Sequence, residues 1–342
     1  MKLKHLLIFA VVSPLLARAQ ADIHFSQFYE TSILRNPALT GIFSNDYKVG
    51  AYYRDQWASI SNPFVTTLGY AEIRVAVGRV SDDYISFGLL AYTDKAGSIS
   101  QAITSVYPAL NYSKCINPDH NRYLSIGITS GYTQYSIDPS KATFNNQYQF
   151  GYFDPNNPTN ENITTTKMSM WDMGVGLNYN TSGGINNNVT YIFGISGYHL
   201  TQPQFSYFNI PGQTQNMRWN GNAAVGFDLK ENISTQVQTN FALQGSYSEY
   251  MIGTLVTYSE PGGGPKPNYA FTGGLFYRVN DAIIPVVKLK YKTFSIGYSY
   301  DVNVSTLKQA SNLRGGQELT LSITGNFTNK SGVLKKTVCP KF

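Results

Sequence analysis

Histidine and cysteine, the side chains that most often bind metals or move protons at neutral pH, are sparse here: four His and two Cys. His24, His120 and His199 stand far apart, with no His-x-x-x-His or Cys-x-x-Cys spacing, so no metal site is expected. Nucleophilic catalysis needs a Ser or Thr beside a base that a third group orients. Several serines could stand near His199, but no motif singles one out. Asp94 and Asp301 fall at predicted outer strand ends, where a carboxylate pair could form, yet a solvated acid is the plainer reading. Gly262-Gly263-Gly264-Pro265 lacks the following Lys-Ser/Thr of a phosphate loop and reads as a turn. The chain is therefore expected to be a non-enzyme, with no catalytic residue, no cofactor and no small-molecule substrate.

The N-terminus points to export. Lys2 and Lys4 precede an apolar run from Leu6 to Leu16, and Ala17-Arg18-Ala19 supplies a small–x–small cleavage pattern. The run is shorter than the roughly 20 residues that cross a bilayer as a helix. Residues 1–19 are expected to be a signal peptide cut after Ala19, with a cut after Ala21 as the alternative. His5 leaves with it. Loss of Lys2, Lys4 and Arg18 takes the 26 basic residues to 23 against 20 acidic, too small an excess for a nucleic-acid partner. Beyond the leader the compartment is oxidising, so Cys115 and Cys339 could pair. The sequence does not show whether their sulfurs meet.

Only 13% of the chain is charged, against roughly 25% in soluble domains. With 26 Tyr and 19 Phe the aromatic share is 14%, and no second long apolar run follows the leader. Little charge, much Tyr and hidden hydrophobicity suit a transmembrane β-barrel, with an apolar outer face, a polar lumen and aromatic girdles.

Period-two alternation supplies the elements. Leu319, Leu321, Ile323, Gly325 and Phe327 share one face, and Thr320, Ser322, Thr324 and Asn326 the other. Trp171, Met173, Val175, Leu177 and Tyr179 repeat the pattern, opposed by Asp172, Gly174, Gly176 and Asn178. Strands are expected at 46–54, 64–75, 83–93, 102–112, 121–135, 169–179 and 188–198. Others are expected at 217–228, 234–245, 249–258, 269–278, 282–291, 293–300 and 318–328. The fold class is all-β: a single closed antiparallel barrel of about fourteen strands over 46–328, an even number as closure requires. With the N-terminus periplasmic, the longest connections (136–168, 199–216 and 301–317) fall on the outer side. Residues 20–45 are too irregular to cross lipid and should lie in the periplasm or fold into the lumen. Residues 329–342 form a periplasmic tail whose lysines read as a solvated end.

Several short stretches in order then carry a resemblance. Phe25-Ser26-Gln27-Phe28-Tyr29, Asn36-Pro37-Ala38-Leu39-Thr40-Gly41 and Tyr53-Arg54-Asp55-Gln56-Trp57 open the mature chain. His199-Leu200-Thr201-Gln202-Pro203, Ser299-Tyr300-Asp301-Val302-Asn303, Gly315-Gly316-Gln317-Glu318-Leu319 and Cys339-Pro340-Lys341-Phe342 follow. The whole resembles the PorP/SprF family of outer-membrane proteins of the Bacteroidetes type IX secretion system. It departs in lacking a Gln-Asp-Pro start and in carrying Lys341 where Arg is commoner.

The resemblance implies a fourteen-stranded barrel that assists export or cell-surface attachment of secreted cargo, including gliding adhesins. The implied partners are a type IX cargo or adhesin outside, a periplasmic lipoprotein linked to peptidoglycan inside, and outer-membrane lipid. A passive porin-like channel is the alternative, and an outer-membrane hydrolase a third.

Partner-binding candidates are Asn36, Pro37, Gly41, Arg54, Trp57, His199, Pro203 and Tyr207. Each has a plain structural reading as well. Asn36, Pro37 and Gly41 could simply make a tight turn. Trp57 could sit in the aromatic girdle with Arg54 near the headgroups. His199, which opens a long outer loop, reads as a loop hydrogen-bonder. Trp171 and Trp219 read as girdle anchors. The outer stretches Asn145–Thr166 and Phe205-Ser206-Tyr207-Phe208 combine amides with aromatics, a chemistry suited to contact surfaces.

Overall fold

Where apolar and polar residues alternate, one face of a strand can meet lipid only if its backbone is fully paired. An unpaired N–H or C=O in hydrocarbon costs several kcal/mol. The chain solves this by closing. A computed structural model describes residues 22–327 apart from 60–61, 78–81, 98, 209, 262–267 and 307. The signal peptide, the tail with Cys339 and the Gly262–Pro265 turn lie outside the described residues.

The wall begins with β1 (Tyr47–Gln56), β2 (Phe64–Ala76), β3 (Tyr84–Ala96), β4 (Gln101–Cys115) and β5 (Arg122–Ser136). It continues with β6 (Lys167–Gly183), β7 (Val189–Tyr198), β8 (Arg218–Lys230), β9 (Ile233–Gln244) and β10 (Tyr247–Ser259). It ends with β11 (Tyr269–Arg278), β12 (Ala282–Tyr291), β13 (Phe294–Asn303) and β14 (Arg314–Gly325). Each strand pairs antiparallel with its sequence neighbours, and β1 closes on β14 from Tyr47↔Gly325 to Gln56↔Gly316. The expected fourteen-stranded barrel is the observed fold. Among the described residues no helix is long and apolar enough to cross a membrane.

The alternation sorts side chains as read from the sequence. On β6, Trp171, Met173, Val175 and Leu177 face outward, and Asp172 and Asn178 are buried inside. On β14, Leu319 and Ile323 face outward, and Thr320 and Ser322 inward. Trp171 and Trp219 stand on the outer face at 66% and 45% exposure, where girdle residues belong.

Among the strand boundaries that differ from expectation, two share a reason. β13 runs to Asn303 and β14 starts at Arg314, so their connection is shorter than 301–317. The sequence reading stopped β13 at Tyr300, just before the acid Asp301, and started β14 at Glu318, yet both carboxylates point into a lumen that pairs them. The solvated-acid reading of Asp94 and Asp301 is corrected likewise. Asp301 is ion-paired with Arg278, and Asp94 accepts the Thr66 hydroxyl at 2.6 Å, both carboxylates being buried.

The longest connections, 137–166 and 199–217, sit at the same end as the shorter 304–313. By the usual asymmetry of these barrels this is the cell exterior, the outer mouth. The first contains a two-residue hairpin, Tyr148–Gln149 with Tyr152–Phe153, turning at Phe150-Gly151.

The lumen is not empty. Residues 22–45 fold inside it as a plug of short turns: Phe28–Glu30, Ser32–Arg35 and Pro37–Leu39. Asn36 starts the last turn: its Oδ1 accepts the Ala38 N–H at 2.9 Å, and Pro37, with φ preset, occupies the first helical position. Gly41 then turns the chain at φ 76°, and a Cβ there would overlap Ser86. Phe25, Ile33, Leu39 and Ile42 are buried against lumenal wall residues such as Tyr52, Leu68, Leu90 and Ile192. Each such side chain contributes roughly 1.5–3 kcal/mol on full burial.

Candidate functional site: the plug and the outer mouth

Three layers of buried polar contacts hold the plug to the wall. At the outer mouth Asp22 forms a clasp. Its Oδ2 lies 2.5 Å from His199 Nε2, and its Oδ1 accepts from Gln215 Nε2 at 3.1 Å. Its backbone N–H donates to Gln244 Oε1 at 3.0 Å, and Arg218 approaches its carboxylate at 3.7 Å. The far side of the His199 ring faces Asp172, with Nδ1 2.9 Å from Oδ2. Burial alone would strip the charge from these groups, but the neighbouring charges outweigh it. His199, between Asp22 and Asp172, is raised to about 10. Asp22, beside His199 and then Arg218, is held well below the usual carboxylate range.

The next layer centres on Glu318 of β14. Its two oxygens accept the consecutive backbone N–H groups of Ser26 and Gln27, at 2.7 and 2.8 Å. Tyr52 donates its hydroxyl to the same carboxylate, and Arg54 Nε stands 3.4 Å away. Beside it Asp301 takes the Ser26 hydroxyl at 2.6 Å and Arg278 Nη1 at 3.0 Å. These charges sit away from bulk water, so each depends on its partners; removing one partner from such a network costs about 3–5 kcal/mol.

Deeper in the lumen, plug residue Glu30 is gripped by Lys48 at 2.8 Å and by Lys288. Glu72 of β2 accepts the Ser32 hydroxyl and, at 2.7 Å, the Gly41 N–H. Among the described residues Arg35 has no carboxylate partner. Its guanidinium donates to Asn240 Oδ1, Gln238 Oε1 and the Thr239 carbonyl at 3.2–3.3 Å and covers the Phe28 ring at 4.5 Å. Asn36 Nδ2 donates to the Leu177 carbonyl at 3.1 Å and to Asn222 Oδ1 at 3.0 Å. The wall is bare where this turn lies. A Cβ on Gly127 would overlap the backbone of Pro37 and Ala38, and one on Gly176 would overlap Asn36 Oδ1.

The sequence-derived candidates separate into two groups. Asn36, Pro37, Gly41, Arg54 and His199 are buried inside the barrel, in plug–wall contacts rather than on an outer surface. The placement of Arg54 near headgroups is corrected. It is 4% exposed, because β1 alternation turns Tyr53 to lipid and Arg54 to the lumen. His199 is likewise a buried clasp residue and not a solvated loop hydrogen-bonder.

Trp57, Pro203 and Tyr207 remain half-buried at the outer mouth. Trp57 packs edge-on against Phe64, and its backbone N–H donates to the Gly315 carbonyl at 2.9 Å. The Pro203 carbonyl accepts the Gln215 N–H at 2.9 Å. Tyr207 packs on a cluster of Tyr135, Met168 and Met170.

The sequence reading missed Glu318, Arg278, Glu30, Glu72 and Asp22 as functional residues. A usable signal was present: in so lightly charged a chain, an acid at a lumen-facing strand position needs a cation or donor inside.

The outer surface has a different character. No charged side chain occurs in 142–153 or in 200–217. Phe150 is 94% exposed at the hairpin tip with φ 55°, a costly backbone conformation for a bulky residue. Tyr148, Tyr152 and Phe208 are also exposed. Among the described residues no cluster of His, Cys, Asp and Glu could hold a metal ion.

Comparison with known proteins fits this architecture. The family model for the type IX secretion system membrane protein PorP/SprF matches residues 17–323. No curated protein sequence matches the chain. A Pseudomonas aeruginosa FadL homologue is similar in structure, at TM-score 0.52 and 11% identity over 86% of this chain and 93% of that one. The Pseudomonas putida toluene transporter TodX gives TM-score 0.52 and 8% identity over 89% and 94%. The Ralstonia pickettii toluene transporter TbuX gives 0.50 and 10% over 87% and 93%. At such identities the likeness is one of fold alone: outer-membrane barrels.

Proposed function

The chain belongs to the PorP/SprF family of type IX secretion system membrane proteins, and from that premise we propose that it is a closed docking platform rather than a conduit. Secreted cargo or a surface adhesin would engage the outer mouth, and a periplasmic lipoprotein linked to peptidoglycan would engage the inner one. Catalysis has no part in this reading, and the signal peptide is cut before the barrel reaches the outer membrane.

The observation that carries it is the occupied lumen. A plug whose Ser26, Gln27, Glu30, Asn36 and Thr40 are all buried and bonded occupies the lumen through which a polypeptide would have to pass. The same packing argues against the passive porin-like channel. Function then falls to the ends, and at the outer one the uncharged, aromatic and amide-rich stretches 142–153 and 200–217 offer contact chemistry at low conformational-entropy cost. The test is replacement of 142–153 and 200–217 by short Gly/Ser turns in the native gene. Loss of cargo secretion or surface display with the barrel still in the outer membrane supports the reading. Unchanged secretion and display would remove it.

A further inference from the structure

The 199–217 connection folds as a short ribbon. Across it the Phe205 N–H donates to the Gln213 carbonyl at 2.7 Å and the Gln215 N–H to the Pro203 carbonyl at 2.9 Å, with Gln204 paired to Thr214 between them. A two-stranded ribbon of this size is marginal in water, so its order depends on what pins it. Its body leans on the wall: Phe205 stands edge-on to Tyr135 at 5.1 Å, and Tyr207 packs on Tyr135, Met168 and Met170. Its base is held by the plug. One carboxylate, that of Asp22, meets His199 at the entry of the ribbon through Oδ2 at 2.5 Å and Gln215 at its exit through Oδ1 at 3.1 Å, and both partners are buried. Gln244 ties the same two parts again. Its Oε1 accepts the Asp22 N–H at 3.0 Å, and its Nε2 donates to the Asn216 carbonyl at 3.4 Å. Arg218, just beyond the ribbon, donates to the Ile23 carbonyl at 3.2 Å.

We infer that the seated plug shapes the outer contact surface: Asp22 is a positioning residue that pins the base of the 199–217 ribbon, so the exposed Phe208 and Ile210 are presented in one arrangement only while the lumen is closed. The inference rests on the reading of 200–217 as a docking surface and adds its regulation. A ribbon ordered before contact spares its partner the cost of ordering it, and a barrel whose plug has slipped loses that advantage. The plug is continuous from Asp22 through Ser26 and Gln27 on Glu318 to Glu30 on Lys48 and Lys288, so displacement lower down reaches the pin. Coupling between two sites is reciprocal, so a secreted partner held on the pinned ribbon tightens the plug in return. An engaged barrel therefore stays shut.

Hydrogen exchange of the purified intact chain in detergent tests this, read at the Phe205 and Gln215 amides. Val287 and Tyr298, paired across β12 and β13, serve as wall controls. Asp22→Ala removes the pin, and Gly127→Val moves the plug from beneath Pro37 and Ala38 while leaving every ribbon residue in place. Exchange at both ribbon amides is expected to quicken about fivefold or more in each variant, the lower end of usual coupling between sites, with the controls unchanged. If the controls show that Gly127→Val has not assembled, Glu30→Gln, which weakens the hold of Lys48 and Lys288 on the plug, takes its place. In the reverse direction, Phe205→Ala with Tyr207→Ala should quicken exchange at the Ser26 and Gln27 amides. Unchanged ribbon exchange in Asp22→Ala overturns the inference because the pin is then elsewhere. Unchanged exchange in the plug-moving variant overturns it because the ribbon then does not sense the plug, and unchanged Ser26 and Gln27 overturn the reciprocal tightening. The readout needs no secreted partner. Its failure removes the pin and leaves the docking reading in place, whereas unchanged secretion after replacement of 200–217 removes the docking reading and leaves the pin.

Discussion

The Glu318 carboxylate accepts the Ser26 N–H at 2.7 Å across 292 positions of sequence, joining the last strand of the barrel to the segment that fills it. Glu318 lies one position from lipid-facing Leu319, so the same alternation that builds the wall delivers an acid to the plug.

Removing that acid tests the anchor. Glu318→Ala strips the Ser26 and Gln27 N–H groups of their carboxylate acceptor, leaving Gln27 only the Tyr52 hydroxyl at 3.3 Å, and leaves Arg54 with the more distant Asp301, at 3.9 Å. A loss of about 3–5 kcal/mol is expected. Urea unfolding of the detergent-solubilised barrel reads it, and Glu318→Gln should lose less because it keeps an acceptor. An unchanged unfolding midpoint in Glu318→Ala would show that the carboxylate does not hold the plug.

The outer clasp has a pH signature. His199 is raised in the folded state, so its contribution is complete below its unfolded value of about 6.5 and fades as pH rises toward about 10. Asp22 is depressed, so its contribution is complete above its unfolded value of about 3.9 and is lost as pH falls below it. The clasp should be tightest between about pH 4 and 6.5. Hydrogen exchange at Asp22 and Ile23 followed against pH checks this, after correction for intrinsic rates, and His199→Asn should flatten the alkaline limb. A profile unchanged by His199→Asn would remove the clasp from the account.

The bare patch on β5 gives a steric test. Gly127→Val places a branched side chain where the Pro37–Ala38 backbone lies. The plug is expected to shift while strand pairing survives, so trypsin should cut after Arg35 in the variant and not in the parent. Equal protection in both would mean that the wall yields more readily than its packing suggests.

Much of the barrel was legible in the sequence, because period-two alternation is local: Leu319, Thr320, Leu321 and Ser322 reveal a wall strand without help from elsewhere. The strand count, closure of the sheet and the long connections at one end followed from it. What was not legible rests on pairings between distant residues. Arg54 read as a rim cation because only the folded lumen brings Glu318 and Asp301 beside it. Asp301 read as a strand end because an acid usually seeks water, and here Arg278 replaces it. The motif residues Asn36, Pro37 and Gly41 were visible, but their purpose as a plug needed the glycines at 127 and 176 to be placed under them.

The uncharged stretches 142–153 and 200–217 at the outer mouth yield an expectation for partner contact. Phe150→Ser together with Phe208→Ser removes two exposed rings and no buried contact. Cargo affinity is expected to fall at least about tenfold, since aromatic anchors often carry 2 kcal/mol or more at interfaces. Barrel stability should stay within about 0.5 kcal/mol. Pull-down of secreted cargo with the variant and parent barrels compares them, and undiminished capture would move the contact elsewhere.

The central claim is that the plug closes this barrel and leaves its function to the two mouths. Planar-bilayer conductance of the purified intact chain, beside Gly127→Val, tests it most directly. The account expects no steady open channel from the intact protein and measurable conductance once the plug is displaced. A steady, ohmic open state in the intact chain would contradict it.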